Sequence, residues 1–211
     1  MLVITLSYFI SILISMVRIS IKSTSIGIPL LKSFKLILLF FFFMTTPLYA
    51  FGLISLQQGV NSIDVNNDGL MDYVFLAQFD NNKSHPSVSI TFYIQKSEGG
   101  YSLMPSIVDQ EFPYFSLSLS GSDVMVSGFT LIQDEGKIFF TTADKNIISA
   151  YDKHKINYAF YEFVEDDDHP GIPLFRWRKI ASTSSTHAYI AVNESYSELA
   201  AIWSEIVQLN P

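Results

Sequence analysis

Short segments that alternate apolar and polar residues dominate the chain after residue 50. This alternation, together with many β-branched and aromatic side chains, is typical of half-buried β-strands. Turn-forming clusters rich in Gly, Asp, Asn and Ser separate the segments. The predicted strands are 73–79, 87–95, 115–120, 124–132, 137–142, 156–164 and 173–180. Short strands at this spacing predict an all-β fold, either a sandwich or a barrel of antiparallel strands.

One helix is predicted, at the C-terminus. Apolar residues recur there with the spacing of a single helix face, at Leu199, Ile202, Trp203, Ile206 and Val207. Ser195 and Glu198 have the spacing of a capping box that would start this helix. We expect the apolar face to pack against an end or edge of the sheets. Binding to a membrane surface is the alternative, which the lack of Lys and Arg on the polar face disfavours.

The first 50 residues differ from the rest in composition, because all 20 Asp and Glu lie after them. Lys32 and Lys35 precede an uninterrupted apolar stretch at 36–44, and small Ala50 suits a cleavage position. A bilayer span needs about 20 apolar residues, so this stretch is too short to cross one. We therefore predict that residues 1–50 are an N-terminal extension plus a signal peptide cleaved near Ala50. Residues 51–211 would then form a single periplasmic domain.

A second apolar run occupies residues 2–17. It is either a short membrane span or, as we expect, the result of a start codon assigned too early. Translation would then begin later, for example at Met16.

Charge excludes some partners of the mature chain. Cleavage near Ala50 leaves 9 Lys and Arg against 20 Asp and Glu, a net charge of −11. Nucleic acid is therefore not an expected partner, because phosphate contacts need a basic surface. The mature form is not expected to be embedded in a membrane. The absence of cysteine does not decide the compartment.

Oxygen-bearing residues at fixed spacing lie ahead of the first predicted strand. They match ligand positions 1, 3, 5, 7 and 9 of a calcium loop, namely Asp64, Asn66, Asp68, Leu70 through its carbonyl, and Asp72. Gly69 fills position 6, where such a loop turns sharply. Position 12 is Phe75 rather than the usual Glu, so water or a residue from elsewhere must complete the shell. The pattern predicts a divalent cation, Ca²⁺, in a structural role; a turn capped by its own side chains is the alternative.

Two other polar clusters have simpler interpretations. The acidic run at 165–170 is interpreted as a solvated loop rather than a metal site, because consecutive side chains cannot all face one ion. Arg176 and Arg178 would share one strand face, opposite Trp177. That face could hold a carboxylate ligand, although pairing with acidic residues of the protein itself is expected.

Catalytic motifs are missing from residues 51–211. There is no G-x-S-x-G, S-x-x-K or H-E-x-x-H sequence, and no cysteine thiolate. The hydroxyl-rich run at 182–186 has no neighbouring residue that marks a base. We therefore predict that the protein is not an enzyme.

Segment 63–82, IDVNNDGLMDYVFLAQFDNN, adds a family resemblance. With the export signal and a body of short strands that ends in a capped helix, it resembles the carbapenem intrinsic resistance proteins. The resemblance implies an all-β sandwich of two antiparallel sheets with short terminal α-helices, similar to periplasmic inhibitors of invertebrate-type lysozyme. It further implies non-hydrolytic self-resistance to a carbapenem, a homodimer, and a cation site at the loop residues named above. The partner would be the antibiotic or a second resistance protein, and no ligand-binding residue is assigned.

Two other functions compete with self-resistance. A lysozyme-inhibitor-like protein would insert a loop into an enzyme cleft, with residues 120–123 as the candidate loop, and its acidity would suit a cationic lysozyme. A β-lactam hydrolase is disfavoured because the nucleophile motifs are missing.

Overall fold

The computed structural model describes residues 51–80, 82, 84–105, 113–119, 124–146 and 151–209. The predicted signal peptide at 1–50 and the candidate insertion loop at 120–123 lie outside these residues. The described strands are β1 (Gly52–Ile54), β2 (Gly59–Ile63), β3 (Asp72–Phe79), β4 (Ser87–Gln95), β5 (Tyr101–Met104), β6 (Tyr114–Phe115), β7 (Leu117–Ser118), β8 (Met125–Asp134), β9 (Lys137–Lys145), β10 (His154–Glu165) and β11 (Phe175–Tyr189). A 3-10 helix (Val192–Glu198) and helix α1 (Leu199–Leu209) follow them.

The strands form two antiparallel sheets. Sheet A has the order β1-β8-β9-β10-β11, with β7 paired to β8. Sheet B has the order β2-β3-β4-β5, with β6 paired to β4. This arrangement confirms the predicted all-β sandwich. The C-terminal helix is also confirmed, while an N-terminal helix falls outside the described residues.

Aromatic side chains fill the space between the two sheets. Phe92 of β4 meets Phe140 of β9 and Trp177 of β11 edge-on, at ring-centroid distances of 5.5 and 5.3 Å. All three rings are almost completely buried. Each such ring removes about 150–250 Å² from water, so this cluster is a major part of the energy that holds sheet B against sheet A.

A second apolar cluster covers the outer face of sheet A. Leu199, Ile202 and Trp203 of α1 pack there against sheet residues such as Ile132 and Phe160. The Trp203 indole N–H also donates to Asp134 Oδ2 of β8, at 2.7 Å. The helix therefore packs on a sheet face, and the prediction of an end or edge was wrong. None of the described helices is long and apolar enough to cross a membrane.

Sheet B has no comparable cover on its outer side among the described residues. Six aromatic side chains there remain between 37% and 52% exposed. We call this surface the outer aromatic face; it consists of Tyr73, Phe75, Phe79, Tyr93, Tyr101 and Phe115.

Candidate functional site

The predicted cation residues lie together at one end of sheet B. Asp64, Asn66, Asp68 and Leu70 belong to the loop between β2 and β3, and Asp72 is the first residue of β3. The backbone turns through left-handed conformations at Asn67 (φ 61°) and Gly69 (φ 86°). Gly at position 69 meets this requirement without the steric cost that a side chain would carry.

Side-chain oxygens organise the loop from within. Asp64 accepts hydrogen bonds from the backbone N–H groups of Asp68 (3.1 Å) and Gly69 (2.9 Å). Asp68 accepts from the Leu70 N–H at 2.7 Å and from the Asn66 side-chain amide at 2.8 Å. The carboxylate and amide oxygens of the loop are the ligands that a hard cation prefers. Each oxygen that accepts a hydrogen bond keeps a second lone pair, which could face an ion. The residues therefore fit a divalent cation by chemistry.

Asp72 differs from the other loop acids because it is fully buried. Its Oδ2 accepts from the Val65 N–H and its Oδ1 from the Gln95 N–H, each at 2.8 Å. Burial raises the pKa of this carboxyl, the two N–H donors act in the opposite direction, and the nearby charges of Asp68 and Asp64 add to the increase. Asp72 thus connects the loop to the end of β4. In the described part of the chain, no three acidic or histidine side chains are grouped so as to hold a metal ion.

Two cavities are lined by described residues, and one of them adjoins the loop. One, of about 210 Å³, lies beside the loop and is lined by Val65, Asn66, Asn67, Lys137, Ile138, Phe139, Glu162 and Phe163. The other, of about 230 Å³, opens between the sheets and is lined by Ile54, Leu56, Leu76, Val88, Ser116, Met125, Phe129, Thr130 and Tyr196. The cavity beside the loop is the more polar of the two, because it contains both a lysine and a glutamate.

Both arginines of β11 pair with acidic residues of the protein itself. Arg176 binds Asp166 at 2.6 Å, and Arg178 binds Glu162 at 2.5 Å, on the strand face opposite buried Trp177. His169 also binds Asp166, and this hydrogen bond, with the positive charge of Arg176, lowers the pKa of that carboxyl. The pairing expected for the two arginines is therefore confirmed, and Asp166 of the acidic run supplies one of the two partners.

Glu198 has a role that the sequence did not predict. It does not reach back to Ser195 as a capping box would. Its carboxylate instead accepts from the N–H groups of Thr186 and His187, from the His187 ring, and from the Tyr189 hydroxyl. Desolvation alone would raise its pKa, but these donors together lower the pKa of Glu198 to about 2. The residue ties the end of β11 to the start of α1.

The sheets and the loop together define a β-sandwich protein with an Asp-rich candidate cation loop leading into one strand. A family model described as carbapenem resistance protein CarG-like matches residues 56–198. The crystal structure of CarG is similar, with a TM-score of 0.67 and 38% sequence identity, over 70% of this chain and 94% of CarG. No curated protein sequence matches this chain. The chain belongs to the CarG-like family of carbapenem resistance proteins, which confirms the resemblance drawn from its sequence.

Proposed function

We propose that the chain is a periplasmic carbapenem self-resistance protein that does not hydrolyse the antibiotic. The observation that carries this proposal is the 38% identity to CarG, spread over 94% of that protein. The apolar stretch at 36–44, followed by small Ala50 at a suitable cleavage position, supports export. The partner would be the carbapenem itself or a second resistance protein.

The hydroxyl-rich strand supports the non-hydrolytic part of the proposal. Ser185 is fully buried, and its hydroxyl accepts from the Ile156 N–H and donates to the His187 carbonyl. The imidazole of His187 is directed to Glu198. A nucleophilic serine needs its hydroxyl within reach of a base, whereas this one is bonded to the backbone.

We further propose that the loop between β2 and β3 binds a structural divalent cation, with Asp64, Asn66, Asp68 and Asp72 as side-chain ligands and the Leu70 carbonyl completing the set. A cation there would neutralise three carboxylates that otherwise repel one another. Because Asp72 also joins the loop to β4, the ion would fix the start of β3 in the sandwich.

A tolerance assay tests the resistance function. The full chain is expressed in a carbapenem-sensitive strain, and the minimal inhibitory concentration is measured against an empty vector. We expect tolerance to rise while the drug's absorbance stays constant when it is incubated with purified protein. Steady loss of absorbance would show hydrolysis, and unchanged tolerance with the protein present in the periplasm would contradict a self-resistance function.

Calcium titration tests the loop. At a calcium concentration of about 100 times Kd, one site that binds only the native state stabilises the folded protein by about 2.7 kcal/mol. For a chain of this size, that raises Tm by roughly 5–10 °C. Asp68→Ala should abolish the increase. Asp80→Ala is the matched control, because Asp80 is an exposed acid whose hydrogen bond to the Asn82 N–H lies outside the loop. Equal responses of the two variants would rule out the proposed site.

A further inference from the structure

The cavity beside the loop combines an apolar interior with polar groups at its surface. Val65 and Ile138 in its lining are almost completely buried. The polar groups, which are at least partly exposed, belong to Asn66, Asn67, Lys137 and Glu162. Sites for small molecules have this composition, because the apolar part supplies contact area and a few polar groups fix the orientation of the ligand.

Lys137 gives the cavity a positive charge that no described residue neutralises. It is the first residue of β9, and its ammonium makes no ion pair or hydrogen bond with a described residue. The charge of Glu162 is already compensated, because the Arg178 guanidinium donates to its Oε1 at 2.9 and 2.5 Å. The lining therefore has one positive charge in excess, which favours an anionic ligand.

The acids of the neighbouring loop do not occupy this cavity. Asp64 and Asp68 are not part of its lining, and their carboxylates accept N–H groups of the loop itself. Charges farther away are screened, since the Debye length at physiological ionic strength is about 8 Å. The charge of Lys137 thus acts locally, although the chain as a whole is acidic.

The walls of the cavity are fixed by contacts outside it. The Val65 N–H donates to Asp72 at 2.8 Å, which holds the loop in place. Phe139, another lining residue, packs against Trp203 with ring centroids 4.5 Å apart. Groups that are fixed before binding lose little entropy when a ligand arrives, so the site is pre-organised.

We propose that the cavity beside the loop binds an intact carbapenem through the antibiotic's carboxylate. This assignment rests on the proposed resistance function, which gives a carbapenem as one of two partners. A carbapenem is a compact pair of fused rings with a carboxylate and a ring carbonyl. The carboxylate pairs with the Lys137 ammonium, the Asn67 amide donates to the carbonyl, and the rings contact the apolar interior.

Size and chemistry support an intact ligand. A closed apolar cavity of about 150 Å³ holds benzene. One of about 210 Å³ that opens to solvent therefore accommodates two small fused rings, with their substituents outside. The described lining includes no Ser, Thr, Cys or His. A bound ring meets no hydroxyl or thiol nucleophile there, which agrees with resistance without hydrolysis.

An NMR titration of the purified, isotope-labelled chain with meropenem tests the proposal. We expect a dissociation constant of roughly 10 µM to 1 mM, with amide shifts concentrated at residues 65–67 and 137–139. Lys137→Met should raise this constant about 10-fold, because the carboxylate loses its charged partner. Lys155→Met is the matched control. It removes the same charge from an exposed position at the other end of β10 from Glu162, and it should leave the constant unchanged.

The methyl ester of meropenem tests the role of the carboxylate itself. The ester keeps the rings but lacks the negative charge, so it should bind wild type about 10-fold more weakly than the acid does. It should also bind wild type and Lys137→Met equally, because the ion pair is absent from both complexes. An ester that bound as tightly as the acid would overturn the proposed mode of recognition.

The contrary results separate the site from the function. No binding by wild type up to about 10 mM meropenem would overturn the proposed site. Shifts confined to other segments, or normal binding by Lys137→Met, would do the same. A rise in tolerance without binding would leave the resistance function in place, with a second protein as partner, whereas binding without a rise would contradict that function alone. If Lys137→Met lacks a cooperative thermal transition, Lys137→Gln replaces it.

Discussion

At the scale of single residues, Asp72 shows how one acid can serve two purposes. Its spacing from Asp64 identifies it as a candidate ligand. The structure adds that both of its oxygens accept backbone N–H groups in a buried position. A buried carboxylate costs free energy unless its charge is compensated by such donors. The residue is therefore part of the framework whether or not an ion is bound.

Replacing Asp72 by Asn should destabilise the fold even when no metal is present. Asn offers one oxygen and one NH₂ group, so either the Val65 or the Gln95 N–H would face a donor and lose its partner. We expect the free energy of unfolding to fall by about 1–3 kcal/mol, the usual cost of a buried polar group that lacks a hydrogen-bond partner. Urea unfolding in the presence of a chelator measures it.

Asp68→Asn is the control for this prediction. Asp68 is exposed, and Asn keeps an oxygen that can still accept the Leu70 N–H. In the presence of a chelator, this substitution should change the free energy of unfolding by less than about 0.5 kcal/mol. If both variants lost the same stability, the Asp72 hydrogen bonds would have no special weight.

Sequence patterns located the loop because ligand spacing and glycine placement are local properties. The Gln95 N–H that Asp72 accepts is 23 positions away and reaches it only through the pairing of β3 with β4. No local pattern indicates such a contact. The residues of the loop were predictable for this reason, whereas the anchoring of Asp72 was not, and cation binding stays a prediction.

At the scale of elements, the junction between β11 and α1 depends on Glu198. Its pKa of about 2 lies below the ordinary value of 4.5. A depressed pKa means that folding favours the ionised form. Its contribution to stability is therefore complete above about pH 4.5 and is lost as the pH falls towards 2.

Glu198→Gln should accordingly lower Tm at neutral pH but not near pH 2. Gln cannot accept the Tyr189, His187 and backbone donors together as a carboxylate does. Thermal melts followed by circular dichroism between pH 7 and pH 2 measure the difference from wild type. Glu205→Gln, a change at an exposed position of the adjoining helix α1, should show no pH-dependent difference. A Glu198 difference that stayed constant with pH would contradict this mechanism.

Strand prediction succeeded where alternation was strong. β4 occupies 87–95 as predicted, and β3, β8, β9 and β10 agree to within a few residues. β1, β2 and β5 were missed, because segments of only three to five residues carry little periodicity, and β1 and β2 also contain Gly. β11 was predicted to end at residue 180 but continues through the hydroxyl-rich run to Tyr189. Backbone pairing with β10 keeps this segment extended although its side chains are polar on both faces.

At the scale of the molecule, the described residues cover sheet A on both faces and sheet B on one. Four of the five apolar positions predicted on α1 are buried, and Val207 is exposed. The face that the helix covers could not be predicted, because amphipathicity shows that a side is buried but not against what. Contacts of Trp203 explain why the helix lies on sheet A. Its ring centroid is 4.5 Å from that of Phe139, and its indole N–H donates to Asp134.

Trp203→Ala should therefore cost about 3–5 kcal/mol, since it opens a cavity between helix and sheet. Differential scanning calorimetry would register this as a clear fall in Tm. Trp203→Phe keeps one aromatic ring in place but loses the bond to Asp134 and part of the packing, so it should cost less, about 1–2 kcal/mol. Equal losses in the two variants would mean that the hydrogen bond, rather than packing, holds the helix.

Helix α1 covers one side of the sandwich with only eleven residues, Leu199–Leu209. A chain shortened before Leu199 would lose this cover, and apolar side chains of sheet A such as Ile132 and Phe160 would become accessible to water. Exposed apolar patches of this kind promote association between copies. The last turns of the protein would thus keep the folded chain from aggregating, and light scattering on such a truncation should show aggregates or precipitate that the full chain does not form.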